Sequence, residues 1–213
     1  MNDARKPSRG RMQDGPVVYV VDDDPGIREA LVDLFATIST QAIPFETAQD
    51  LLQKADLERP GCILLDVRLP GGNGLDVQLH LEKLGNRMPI IFMTGHGDIP
   101  MTVRAMKAGA VDFLGKPFRD QDIIDAVAAA FEKDRENRQR AAANSAVLDL
   151  AKSLTPRERE VMAAVAQGLM NKQIAFHLGI SEITVKLHRG NVMRKMEARS
   201  VADLVRKVEM LGL

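Results

Sequence analysis

Five side chains far apart in the sequence have types and settings that suit one shared chemistry. They are Asp22 and Asp23 in "VVYVVDDDPGIRE", Asp66 closing "CILLD", Thr94 closing "PIIFMT", and Lys116 in "GKPF". Consecutive aspartates repel one another, and a carboxylate at the rim of a buried strand loses solvation. A divalent cation relieves that repulsion. Acidic side chains with a backbone carbonyl nearby are hard oxygen ligands suited to Mg2+. Beside such a cation, Asp66 can act as a carboxylate nucleophile toward a phosphoryl group. The cation and the Lys116 ammonium would neutralise charge on the transferred oxygens, and the Thr94 hydroxyl would donate to one of them. Taken singly, each residue has a plainer use: an Asp triplet as a turn or cap, Asp66 as a strand end before the Gly-rich "VRLPGGNG". Their joint placement at successive strand ends is what points to chemistry.

That placement follows from the elements. Short apolar runs at 17–21, 41–45 (weak), 62–66, 89–94 and 110–114 alternate with helical patterns at 25–38, 47–56, 74–84, 99–108 and from 120 onward. This alternation predicts an α/β fold, a doubly wound parallel five-stranded sheet with helices on both faces. In a sheet of order 2-1-3-4-5, ligands bind beyond the carboxyl ends of the strands, where strands 1 and 3 diverge. Asp22, Asp66, Thr94 and Lys116 all fall on that rim. Pro25 suits a first helical turn and Gly109 a helix C-cap.

From Asp120 the chain stays helix-favourable for about 30 residues, with an apolar face (Ile123, Ile124, Val127, Phe131) that fades after Phe131. Beyond it, Asp134–Arg138 and Glu136–Arg140 are spaced to support a solvated helix. A coiled-coil dimer seam is open here, although the apolar repeat is short for one. The last 60 residues carry no strand pattern and read as an all-α domain of four helices. Thr155 and Glu158 form a capping box with Pro156 behind the cap, and Gly168 closes that helix. Asn171, Ser181 and Ser200 are spaced to cap the next three. The resulting division is a disordered tail over 1–15, an α/β domain over 16–131, a helical linker over 132–151 and the helical domain over 152–213.

The chain of 213 residues is 45% hydrophobic and has a formal net charge of zero, but the charge is unevenly spread. Residues 16–125 hold ten basic against seventeen acidic side chains, and residues 152–213 hold eleven against six. An acidic front and a basic back predict two domains with different partners. Cys62, the single cysteine, lies in an apolar run and reads as a buried, inert thiol. No apolar run is long enough to span a membrane, and the basic, polar first 15 residues do not form a secretory signal. The expected location is cytoplasmic, with no membrane partner.

In the basic half, "NKQIAFHLGISEITVKLHRGNVMRKM" has the pattern of a helix-turn-helix. Ile174, Ala175, Leu178 and Ile180 would pack the first helix and the turn, with Gly179 in the bend. Val185, Val192 and Met196 recur as the buried stripe of the second helix, while Lys186, Arg189, Arg194 and Lys195 supply positive charge. Such a helix lies in the major groove with its early residues at base edges and its basic residues on phosphates. Helix-turn-helix geometry also occurs in bundles that bind no DNA.

Both halves resemble known families. Over 16 to about 130, "VVDDD", "LLDVRLP", "MTG" and "DFLGKPF" resemble the acidic pair, phosphorylation site, switch hydroxyl and Lys-Pro of a response-regulator receiver domain. The resemblance implies that Asp66 is phosphorylated by a sensor histidine kinase. It further implies Mg2+ held by Asp23, Asp66 and the Arg68 backbone carbonyl with Asp22 in the acidic pair, and a cis peptide at Lys116–Pro117. Asp24 then falls outside the pair as a helix cap. Phe113 stands at the position of the switch aromatic, often Tyr, or is simply a core residue of the last strand. His96 neighbours the site as a solvated loop residue.

The segment "LTPREREVMAAVAQGLMNKQIAFHLGISEITVKLHRGNVMRKM" resembles a LuxR/FixJ-type output domain. That implies promoter DNA met by Glu182, Thr184, Lys186, Leu187, His188 and Arg189, with Arg194 and Lys195 on phosphates. Gly190 departs from relatives with a longer side chain there. The whole chain is similar to NarL/FixJ-type two-component regulators. This implies a transcription factor rather than an enzyme, one that dimerises on phosphorylation, with RNA polymerase an additional candidate partner. Two rival readings stand beside it: a phosphatase or phosphotransferase built on the aspartates, and a helix-turn-helix that binds protein.

Overall fold

Successive side chains of a strand point to opposite faces, so a strand covered by helices on both sides must be apolar at every position. The strands β1 (Val17–Val21) and, up to its terminal Asp66, β3 (Gly61–Asp66) meet that requirement, and both are buried throughout. With β2 (Gln41–Phe45), β6 (Ile90–Thr94) and β7 (Asp112–Gly115) they form a wholly parallel sheet of order β2-β1-β3-β6-β7. The two numbers skipped belong to a small antiparallel pair, β4 (Arg68–Leu69) with β5 (Gly72–Asn73), which the sequence pattern does not announce. Counting only the strands of the main sheet, the order is the expected 2-1-3-4-5. The computed structural model describes residues 15–70, 72–95 and 99–212. The expected tail, apart from Gly15, and His96 lie outside the described residues.

The register brings the carboxyl ends level. Val21 pairs with Phe45 and with Leu65, Asp66 pairs with Met93, and Thr94 pairs with Gly115. Helices α1 (Pro25–Thr37) and α5 (Asp120–Lys152) cover one face. There Leu31, Phe35, Ile123, Val127 and Ala130 pack on Val18, Val20, Cys62, Leu64, Ile91 and Met93. Helices α2 (Ala48–Lys54), α3 (Gly74–Lys83) and α4 (Ile99–Lys107) serve the other face, where Leu51, Val77, Leu81 and Ala105 meet Tyr19, Val21, Ile63, Leu65 and Phe92. Cys62 is fully buried, and burial pushes its thiol far above the usual range, so it is inert at neutral pH. Pro44 is tolerated because β2 is an edge strand with β1 as its sole neighbour.

The chain divides into two compact units between Asn137 and Arg138. Helix α5 starts in the first and ends in the second as one uninterrupted helix. Asp134, expected on a solvated face, is buried instead, and one of its carboxylate oxygens accepts the Gly61 N–H at 3.0 Å.

The second unit packs α6 (Pro156–Ala166), α7 (Asn171–Leu178), α8 (Glu182–Lys195) and α9 (Val201–Met210) around Val161, Met162, Ile174, Val185, Val192, Met196 and Leu204, joined by Val147 from the end of α5. The Thr155–Glu158 capping box forms, and Ser181 and Ser200 cap α8 and α9. Helix α7 differs from expectation. Met170 is its cap residue, and Asn171 is its first helical residue, with a side chain that accepts from Arg189 rather than capping the helix.

Candidate functional site

Asp22 directly follows β1, and its N–H donates to the Phe45 carbonyl of the neighbouring edge strand. Asp66 and Thr94 are the last residues of β3 and β6, and Lys116 is the first residue beyond β7. The Lys116 N–H donates to the Thr94 carbonyl at 2.7 Å, fixing the loop that carries the ammonium. Lys116–Pro117 is cis. The level strand ends thus gather four residues from four strands onto one rim, with Asp23 beside them.

Carboxylate oxygens from Asp22, Asp23 and Asp66 all lie within 4.8 Å of one another. Lys116 Nζ stands 2.5 Å from Asp22 Oδ2 and 2.5 Å from Asp66 Oδ2. The other oxygen of Asp22 accepts the Asp24 N–H at 3.0 Å, and the other oxygen of Asp66 accepts the Arg68 N–H at 2.8 Å. Asp24 is the N-cap of α1, its side chain accepting from the Gly26 and Ile27 N–H groups. The triplet therefore divides into a buried acid, an exposed acid and a cap.

Burial pushes the Asp22 carboxyl above its ordinary value, against the opposing pull of the hydrogen bond from Lys116. Burial also works against charge on Lys116, but the hydrogen bonds it donates to Asp22 and Asp66, with their negative charge, outweigh it and hold the ammonium above its usual range. One ammonium among three carboxylates leaves an excess of negative charge and an all-oxygen donor set. Hard divalent cations take such a set, so the residues fit Mg2+.

Two neighbours were not singled out from sequence. Arg28, one turn into α1, donates through Nη1 to the Asp22 carbonyl at 2.6 Å. Gly74 begins α3 where an added Cβ would come within 2.6 Å of the Asp66 carbonyl and 3.1 Å of the Phe92 ring. A basic residue four positions beyond an N-capping Asp, and a glycine opening a helix beside a strand end, are the signals that could have found them. Phe113 is half-buried against the core, its ring centroid 6.2 Å from that of Phe92.

On α8 the structure separates the basic residues. Val185, Val192 and Met196 are buried. At 3.6 residues per turn the opposite face is centred near Ile183 and carries Lys186, Leu187, Gly190 and Arg194, all exposed, while Glu182 is exposed in the first turn on another side. Lys195 is turned into the domain, its Nζ 2.6 Å from Glu158 and 3.1 Å from the Ser153 carbonyl. Arg189 donates to Asn171 at 3.0 Å, and Thr184 exchanges a hydrogen bond with Ser181. His188 is half-buried with Nδ1 enclosed. The expectation that Arg189 and Lys195 extend toward DNA therefore meets two side chains already occupied within the fold.

The chain matches two families: the response regulator receiver domain over residues 18–128, and the luxR family of bacterial regulatory proteins over residues 152–208. Nodulation protein W of Bradyrhizobium diazoefficiens is 55% identical over 199 residues, spanning 92% of this chain and 87% of that protein. The structure of response regulator StyR aligns with 46% identity and a TM-score of 0.74 over 91% of this chain and 98% of its own. Full-length FixJ from B. japonicum aligns with 38% identity and a TM-score of 0.55 over 92% and 97%. Among the described residues, no helix is long and apolar enough to cross a membrane. An acidic, lysine-closed rim in one unit and a helix-turn-helix in the other, each within its matched family, place this chain among the two-component response regulators that join a receiver to a LuxR-type DNA-binding domain and regulate transcription.

Proposed function

We propose that Asp66 accepts a phosphoryl group from a sensor histidine kinase, and that this event controls promoter binding by the helix-turn-helix. The observation that carries the reading is the placement of Asp66 within hydrogen-bond reach of Lys116, beside Asp22 and Asp23, on the sheet's carboxyl rim. An Asp66 carboxylate oxygen forms the new P–O bond while the N–P bond of the donor phosphohistidine breaks, and the electron pair leaves with the imidazole. Asp22, Asp23, Asp66 and the Arg68 carbonyl would hold Mg2+, which supplies charge neutralisation at the phosphoryl oxygens. Lys116 then exchanges a carboxylate partner for a phosphoryl oxygen, and the buried Thr94 hydroxyl turns to donate to another. Phe113, packed next to Phe92, follows Thr94 inward.

In this reading residues 16–131 act as the receiver, 132–151 as the connecting helix and 152–213 as the output domain. Phosphorylation promotes a homodimer whose two output domains occupy half-sites about 34 Å apart. Lys186, Leu187 and Arg194 lie on the exposed face of α8, with Glu182 exposed in its first turn, and these are the groups we take to meet the duplex.

The test is intact mass spectrometry after incubation with Mg2+ and acetyl phosphate. One added phosphoryl group on the native chain, absent from Asp66→Ala and absent in EDTA, is expected. An adduct that persists in Asp66→Ala would move the acceptor elsewhere and overturn the assignment.

A further inference from the structure

The solvent face of α8 is centred on an apolar side chain. Ile183 is 80% exposed and Leu187 is 64% exposed. Four residues apart, they sit one above the other on one helix face, and Ser181 caps the helix just before them. Gly190 continues the same stripe with no side chain, and nothing lies within 4 Å of where a Cβ would be. No side chain at position 190 therefore overlies Leu187 from the next turn. Neither packs into the domain core, which takes Val185 and Val192 from α8 and Met196 from its C-cap, with Met193 at its edge.

Resting on the reading of α8 as the DNA-facing helix, we infer that Ile183 and Leu187 read thymine methyl groups in the major groove. The argument is one of chemical matching. The groove offers hydrogen-bond acceptors and donors at guanine, adenine and cytosine, and one apolar group, the C5 methyl of thymine. Lys186 and Arg194 have donors for guanine edges or phosphates, and Glu182 has an acceptor for cytosine. Ile183 and Leu187 have neither donor nor acceptor. Their burial against a base edge is favourable where a methyl group meets them and unfavourable where they strip water from a polar edge. The early residues of a recognition helix are also the ones that reach base edges. Two apolar side chains one helical turn apart thus specify thymines at two nearby positions of each half-site, with Lys186 between them free to fix the intervening base or the backbone.

The test uses the full chain, treated with acetyl phosphate and Mg2+, to select duplexes from a randomised pool. Each thymine of the selected duplex is then replaced by uracil, which removes only the methyl group. Binding is expected to weaken about fourfold per methyl, the factor for one buried methyl group, at two positions in each half-site. Ile183→Ala is expected to abolish the uracil effect at one of these positions and Leu187→Ala at the other, with the salt dependence of binding unchanged. Both side chains are exposed, so circular dichroism melts of the two variants should match the native chain. Enrichment of a duplex that is indifferent to uracil overturns the inference and leaves DNA binding standing. Failure to enrich any duplex, with no salt-sensitive retention on DNA, overturns the DNA reading and the inference with it. Variants that keep both DNA affinity and the uracil effect show these side chains facing something else, a protein surface included, and also overturn it.

Discussion

Lys116 Nζ lies 2.5 Å from Oδ2 of Asp22, a residue 94 positions earlier whose side chain is fully buried, and 2.5 Å from Oδ2 of Asp66. The ammonium bridges both carboxylates, so it holds the rim together electrostatically. Removing it strands a buried carboxylate. Lys116→Met should cost about 3 kcal/mol, the lower end of the range for breaking a buried pair from one side. Urea denaturation of both proteins measures this directly. A cost below about 1 kcal/mol would mean that water replaces the ammonium without difficulty.

If the three rim carboxylates hold a divalent cation as proposed, that cation should stabilise the first unit. At about 100 times its Kd, Mg2+ is expected to add about 2.7 kcal/mol to the unfolding free energy. Asp23 is exposed and outside the core, so Asp23→Asn removes one negative charge from the proposed Mg2+ set without disturbing packing. The Mg2+-dependent gain should shrink strongly in that variant while stability in EDTA stays close to the native value. Equal Mg2+ gains in both proteins would remove Asp23 from the metal set.

Gly74 couples helix α3 to the end of β3 through close backbone approach. An alanine there puts Cβ within 2.6 Å of the Asp66 carbonyl, a distance that forces the backbone to move. Gly74→Ala should lower the rate of phosphorylation by acetyl phosphate as well as stability, because the shift displaces Asp66 relative to Lys116. A variant that is less stable yet phosphorylated at the native rate would show the strain relaxing into α3 instead.

The buried carboxylate of Asp134 gives a fourth handle on the first unit. Its acceptance of the Gly61 N–H links α5 to the start of β3, where the chains run so close that a Cβ on Gly61 would lie 2.1 Å from the Val17 carbonyl. Asp134→Ala leaves that buried amide without this acceptor, at a cost of about 1–3 kcal/mol. Faster hydrogen exchange at the Gly61 amide should accompany the loss, and Asp134→Asn, which keeps an acceptor oxygen, should restore most of the protection.

The rim residues were legible from sequence because each ends an apolar run, and a parallel sheet aligns all such ends. The fold was legible for the same reason: β1 and β3 are buried on both faces and read as unbroken apolar runs. The β4–β5 pair was not, since two residues per strand leave no period to detect. Asp134 was hidden by polar neighbours on a helix whose apolar stripe had faded, so nothing local announced a buried partner 73 residues away. On α8, counting basic residues along the chain put Arg189 and Lys195 on the DNA side, whereas helical phase places them on the flanks of the buried stripe. Ile183 was passed over because an apolar side chain in an amphipathic pattern is ordinarily assigned to the core.

Lys195 has a structural use that brings a pH dependence with it. The hydrogen bond from its ammonium, joined by the Thr155 N–H, holds the buried Glu158 carboxyl below its ordinary value of 4.5. A carboxyl whose folded-state value is depressed contributes stability that is complete above its unfolded value and lost as pH falls through the folded one. The four-helix unit should therefore keep its stability down to about pH 5 and lose it progressively in more acid solution. Glu158→Gln retains an acceptor for Thr155 but has no charge for Lys195. It should be less stable than the native chain at pH 6, with the difference closing as the pH falls below the folded-state value. Amide exchange in α6 and α8 of the full chain, followed between pH 6 and pH 3, reads this unit separately from the receiver. A difference between the two proteins that stays constant over that range would assign Glu158 a purely geometric role in the capping box.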